Sequence, residues 1–282
     1  MDVEALLARL PFEPLRHRPP LVTVLRLSGI IGQLGPLRSG LSIAGLAQAI
    51  ERAFSPHFLT AVALSVNSPG GSPAQASLIM RRIRQFADER KVPVFAFVED
   101  VAASGGYWLA LAADEILVDE SSILGSIGVI SSGFGFHGLL ERFGVERRVY
   151  TQGRHKSLLD PFRPESPEDV ARLTRLQADI HDEFKAVVRA RRGDRLKAPE
   201  EELFDGDVWT GRRAIELGLA DGLGEIRHTM RARFGEKVRL RPVVYQRGWL
   251  RRRFGLTRDA QDWAGAALGA IEERAWWARY GL

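Results

Sequence analysis

The fold is decided by residues 92–118, "VPVFAFVEDVAASGGYWLALAADEILV". The first seven, "VPVFAFV", form an apolar run rich in β-formers and read as a buried strand. The residues after Ser104 have helical character and carry Tyr107 and Trp108, both expected to pack in the core. "EILV" (115–118) reads as a second, short strand. Strand, loop, helix and strand in this order predict an α/β fold with parallel pairing. Small residues crowd around Ser104, at the carboxyl end of the strand and the start of the helix. A serine there is either a helix cap or a group presented for chemistry.

The flanking sequence repeats the alternation. "LVTVLRLSG" (21–29) reads as a strand and "SIAGLAQAIERAF" (42–54) as a helix with Ser42 at its N-cap. "LTAVALSV" (59–66) is a continuous apolar run, as in a parallel strand covered on both faces. It stops at "NSPGGSP" (67–73), a dense loop signal, before a helix over about 74–90. Further on, "SSILGSIGVISS" (121–132) is apolar and glycine-spaced, "VERRVY" (145–150) reads as a strand, and 151–164 as a polar loop. A long helix follows over about 167–192, with Pro167 at its first position. Residues 204–226 read as a turn, a short helix and a glycine-rich exit.

A serine hydroxyl needs a base to attack a carbonyl, and the oxyanion it creates needs fixed N–H donors. "ASGG" and "SPGG" both follow parallel strands, where α/β proteins place their sites. Gly70 and Gly71 lack the Cβ that keeps a backbone amide away from a substrate oxygen. From the residues alone, a helix cap at Ser104 and an ordinary turn at "SPGG" remain alternatives. None of the six histidines sits in a strand-end loop with a matching aspartate. His137, after "GFGF", is a candidate base, with helix-start decoration the favoured alternative. Lys156 lies in the polar loop "GRHKSLLDPF". A lysine acts as a base only when neutral, and its reference pKa is about 10.4, so burial must assist it. A solvated loop lysine is the other reading.

Five motifs occur in order: "NSPGG", "ASGGYW" with "AADEI", "GSIGVI", "GRHKS" with "DPF", and "DVWTGRRAIELGLADGLG". With them the chain resembles the SppA/protease IV family of signal peptide peptidases, SohB-like members included, over about residues 21–240. The resemblance implies a ClpP/crotonase-like fold in a single repeat, with parallel sheet layers and flanking helices. It implies a Ser–Lys dyad of Ser104 and Lys156, with Ser126 orienting the lysine. It implies Gly71 and Gly105 as oxyanion donors, and Gly70 with Ile127, Gly128, Val129 and Ile130 as the edge that binds extended peptide. Buried packing is the alternative for the Val129 and Ile130 side chains. In single-repeat relatives the serine and lysine come from neighbouring subunits, so a homo-oligomer is expected.

The expected activity is a serine endopeptidase cutting unstructured apolar peptides, such as signal-peptide remnants or membrane-protein fragments. A crotonase-like acyl-CoA enzyme and a non-catalytic membrane-associated scaffold are the rivals. No cofactor is expected, since P-loop, HExxH and EF-hand patterns are absent from the sequence. With no cysteine among 282 residues, disulfides and thiol catalysis are excluded. Of the formal charge of +5, residues 241–282 carry +4, from eight arginines and four acidic residues. The body is near neutral, against a nucleic-acid channel. No apolar run approaches the roughly 20 residues of a membrane span, and no secretory signal is evident. The expected location is cytoplasmic or peripheral to a membrane. The expected organisation is an extension (1–20), a peptidase domain (21–240) and a basic aromatic tail (241–282). In that tail "QRGWLRRRFGL" and the Ala-rich stretch to Trp276 and Trp277 suit lipid or subunit contact.

Overall fold

The computed structural model describes residues 18–32, 40–243 and 274–281. Most of the expected N-terminal extension and most of the basic tail therefore lie outside the described residues. The elements run β1 (Leu21–Ser28), α1 (Ile43–Phe54), β2 (Leu59–Ser68), α2 (Pro73–Arg90), β3 (Val94–Ala103), α3 (Gly105–Ala110), β4 (Glu115–Val118) and β5 (Ile123–Gly125). They continue with α4 (His137–Arg142), α5 (Pro167–Arg192), α6 (Glu200–Leu203), β6 (Val208–Thr210), α7 (Gly211–Glu216), β7 (Gly222–Leu223), α8 (Ile226–Phe234) and β8 (Arg239–Pro242).

The sheet has the order β6-β5-β3-β2-β1-β8, with β4 beside β3 and β7 beyond β4. Every pairing is parallel except β5 with β6. Apolar residues on one face pack under α1, α2, α3 and α5, and include Leu64, Ile79, Ile83, Leu109 and Phe184. The other face packs Phe95, Phe97 and Leu117 against Met230 of α8. As expected, Ser42 caps α1, its Oγ accepting from Gly45 N at 3.2 Å. Tyr107 and Trp108 are core residues. The Tyr107 hydroxyl donates to Leu219 O at 2.8 Å, and burial pushes its phenol pKa up. Trp108 stacks on Phe184 with ring centroids 4.5 Å apart.

Two strands outrun their sequence signal, and the reason bears on the site. β2 continues through Asn67 and Ser68, and β3 runs on from Glu99 to Ala103. Along the pair, Val66 faces Val98 but Ser68 faces Ala102, so β3 bulges here. The Asn67 side chain spans the bulge. It donates to Asp100 Oδ2 at 2.6 Å and accepts from Val101 N at 3.2 Å. Below the bulge, Phe95–Val98 pair with β4. Above it, Val101–Ala103 pair with β5. The change of neighbour frees the end of β3 to present Ser104 between the β2 loop and β5.

The strand expected at 145–150 does not form. Its β-rich residues lie on an exposed arm spanning about 131–166, where no strand among the described residues pairs with them. A strand is stabilised by its partner more than by its own composition.

Candidate active site

Ser104 links β3 to α3 in a backbone conformation few side chains adopt, φ +52° and ψ −123°. Such a conformation costs on the order of 1–3 kcal/mol and persists only where its surroundings enforce it. Here the Ser104 N–H donates to Gly125 O at 2.8 Å, and its carbonyl accepts from Trp108 N at 3.1 Å. The helix-cap alternative fails on geometry, because the Ser104 side chain makes no capping hydrogen bond. The hydroxyl is left for another task.

The glycines around it are required by close approach. A Cβ on Gly70 would lie 2.8 Å from the Ser104 Cβ, and one on Gly106 would lie 2.2 Å from Ser68 O. Gly71 has φ +137°, and a Cβ there would meet Ile31 O at 2.1 Å. The loop is tied to Ile31, whose N–H donates to Gly70 O at 2.8 Å and whose carbonyl accepts from Ser72 N at 2.9 Å. A Cβ on Gly105 would stand 3.4 Å from Gly71 N, so these two amides are neighbours. Among the described residues, neither N–H has a hydrogen-bond partner. Two adjacent, unengaged backbone donors beside an uncommitted hydroxyl have the makings of an oxyanion site.

Ser126 is also left-handed, at φ +50°. Its N–H donates to Asp207 O at 2.6 Å and its carbonyl accepts from Gly128 N at 2.9 Å. Since Gly125 O holds Ser104 N, the peptide entering Ser126 is fastened to the backbone of Ser104. Residues 127–130 are not in a strand. The Ile127 side chain is fully buried, and its carbonyl is taken by His181 Nε2 at 3.0 Å. The Gly128 N–H is also engaged. Val129 is half-buried and Ile130 is 65% exposed, so backbone open to an extended peptide begins near Val129. Sequence reasoning missed His181 in this supporting place. Ile127 and His181 are 54 residues apart, which no local signal spans.

Within one copy of the chain, Lys156 makes no hydrogen bond to Ser104. It is exposed on the arm, its N–H donating to Gly153 O at 3.3 Å, and no hydrogen bond joins it to Ser104 or Ser126. The arm carries exposed Phe134, Leu139, Phe143 and Tyr150, and α4 has no buried residue. A cavity of about 1130 Å³ lies within the arm and against the start of α5, lined by Phe134, Arg154, His155 and Arg172 and not by Ser104. The arm is braced by Asp160. Its carboxyl is held below the usual range by the Phe162 N–H and by Arg147. Among the described residues, no cluster of His, Cys, Asp or Glu could hold a metal ion.

The parallel α/β core, with a bulged strand that ends in a strained serine, has the ClpP/crotonase-like fold. The sequence model of Peptidase family S49 matches residues 87–238, more than half of the chain, and the chain belongs to that family. It is 50% identical over 272 residues to a Brucella abortus (strain 2308) protein named Na(+)/H(+) antiporter NhaA, covering 93% of this chain and 37% of that protein. It is 31% identical over 211 residues to the Arabidopsis thaliana serine protease SPPA, chloroplastic, covering 72% of this chain and 30% of that one. The chain therefore spans about a third of the length of these relatives. Among solved structures, the 1510-N membrane-bound stomatin-specific protease in complex with a substrate peptide superposes with TM-score 0.50 at 16% identity, over 89% of this chain and 99% of that one. That likeness bears on the fold.

Proposed function

We propose that this chain is a serine endopeptidase whose nucleophile is Ser104 and whose general base is Lys156. The observation that carries the reading is the strained, uncapped Ser104 beside the unpartnered Gly71 and Gly105 amides. Ser104 Oγ attacks the scissile carbonyl carbon while its proton passes to the neutral Lys156 Nζ. The oxyanion is held by the two amides. As the tetrahedral species collapses, the C–N bond breaks and the leaving amine takes the proton from Lys156. Water then attacks the acyl-enzyme, again with Lys156 as base, and Ser104 is restored. Ser126 orients the lysine.

The substrates are extended, unstructured apolar peptides, such as signal-peptide remnants or fragments of membrane proteins. They pair with open backbone from Val129 onward, while exposed Ile130 offers an apolar contact. The segment shared with the Brucella protein includes the one matching Peptidase family S49, so the peptidase reading, not the transporter in that name, is carried over. No helix among the described residues is long and apolar enough to cross a membrane.

The site is shared between subunits of a homo-oligomer. Two features support this: Lys156 is exposed, and the arm that carries it displays Phe134 at 81% and Phe143 at 71% exposure. Exposed aromatics grouped in this way mark an interaction surface. The test is cleavage of an unfolded apolar peptide by wild type, Ser104→Ala, Lys156→Ala and a mixture of the two variants. Each variant alone should be inactive, and the mixture should regain activity as interfaces pair an intact serine with an intact lysine. Wild-type turnover by Ser104→Ala would refute the nucleophile. A silent mixture, with subunit exchange demonstrated, would place the dyad within one chain.

A further inference from the structure

We infer that His181 is a positioning residue for this site, holding the Ser126–Gly128 segment from α5 so that Ser126 keeps its left-handed backbone. The inference rests on the peptidase reading above and adds a residue to it. Leaving β5, the chain turns at Ser126 with φ +50°, a conformation that relaxes unless both sides are held. On the near side, Ser126 N–H is held by Asp207 O at 2.6 Å. On the far side, the Ile127 carbonyl accepts from His181 Nε2 at 3.0 Å. A carbonyl can only accept, so Nε2 carries the proton in this contact.

The helix that carries His181 is anchored where the pin needs it. Phe184, one turn on, stacks on Trp108 of the helix that follows Ser104. Beyond it, Arg191 donates to Leu111 O at 2.9 Å and Ala113 O at 2.8 Å. Arg192 donates to Gly218 O at 2.8 Å and Asp221 Oδ2 at 2.8 Å. Before His181, no residue of α5 is buried. His181 thus stands where the anchored half of α5 begins, and through it that half reaches the backbone beside Ser126. The buried Ile127 side chain is a second anchor. Loss of the pin should therefore loosen Ser126 without releasing it, and the effect should be moderate.

The experiment uses full-length protein and an unfolded apolar peptide, with Ser104→Ala as the blank. His181→Phe keeps the ring but removes the donor. It should lower kcat/KM about tenfold, equivalent to ~1.4 kcal/mol. His181→Gln, whose amide can still donate, should stay within about threefold of wild type. On a Ser126→Ala background, His181→Phe should cost less than about twofold, since a residue acting through Ser126 is not additive with its loss. Amide hydrogen exchange at Ser126 and Gly128 reads the pin without turnover, and should quicken in His181→Phe but not in His181→Gln. If His181→Phe fails to fold, His181→Asn, too short to reach Ile127 O, takes its place.

Wild-type turnover in His181→Phe would overturn the inference. So would an equal loss on both backgrounds, or equal damage by Phe and Gln. If wild type shows no Ser104-dependent cleavage, the peptidase reading fails, and the exchange measurement alone decides whether His181 holds the segment.

Discussion

Replacing Gly105 with alanine should separate activity from stability. Gly105 opens α3 without a left-handed backbone, so alanine is conformationally acceptable there. The added Cβ would meet Ile31 Cδ1 at 3.1 Å, Gly71 N at 3.4 Å and Ala76 Cβ at 3.5 Å. The tightest of these contacts is the end of a flexible side chain, and shifting it by a few tenths of an ångström costs about 0.5–1.5 kcal/mol. Alanine in place of glycine in a helix gains about 0.5–1 kcal/mol. The two nearly cancel, so Tm should move by no more than about 2–4 °C. The effect on chemistry should be larger. An oxygen bound by Gly71 N–H must come within about 3 Å of that nitrogen, and the new methyl crowds the same approach. Loss of one oxyanion donor lowers kcat by roughly 10²–10³-fold. Initial rates on an unfolded peptide, with calorimetry of the same samples, give both quantities. Wild-type kcat at wild-type Tm would refute the assignment of the Gly71 and Gly105 amides. Gly106→Ala is the contrasting case. Its Cβ would fall 2.2 Å from Ser68 O, which is backbone, so it should lose stability together with activity.

Ser104→Gly should raise Tm, because glycine relieves the strain at φ +52°, while turnover disappears; a lower Tm would show that the strain is not stored there. Lys156→Arg should be as inactive as Lys156→Ala, since arginine stays protonated and cannot take the Ser104 proton; turnover by the Arg variant would eliminate the lysine base. Asp221→Asn should cost about 3–5 kcal/mol, because it strips the buried Arg192 of its carboxylate at 2.8 and 3.0 Å. Burial pushes the Asp221 carboxyl up, but the hydrogen bonds from Arg192 and Ile116 N and the nearby arginine charges outweigh it, and the pKa is lowered. The contribution is therefore present above the unfolded carboxylate value of about 3.9 and lost as pH falls through the lower folded value. The Tm difference between wild type and Asp221→Asn should shrink on acidification below about pH 4, and a difference independent of pH would refute the ion pair's role.

What could be read from the sequence was what a residue demands of its own backbone or its near neighbours. Ser42 capping α1, the apolar runs of β1 and β2, and the glycines flanking Ser104 are of this kind. Their constraints lie within a few residues, or in the absence of a Cβ at one position. What could not be read depended on groups far along the chain. β3 outruns "VPVFAFV" because Asn67, 34 residues before Val101, bridges its bulge, so polar Glu99 and Asp100 are carried in a strand they would not form alone. "VERRVY" fails in the opposite way, with strand composition and, among the described residues, no strand paired with it. Ser126 resembled a family serine in the sequence. Its conformation depends on distant groups, with Asp207 O bonded to its N–H and His181 bonded to the carbonyl of the next residue, Ile127. Ser104 combines the two kinds of constraint. Gly70 gives it room through the absence of a Cβ, and β5, through Gly125 O, holds it in a backbone it would not choose. A serine in this sequence context would ordinarily turn its hydroxyl inward to cap the helix it starts. The positive φ enforced from β5 accompanies a side chain that makes no such bond, so the strain and the free hydroxyl follow from one geometric cause.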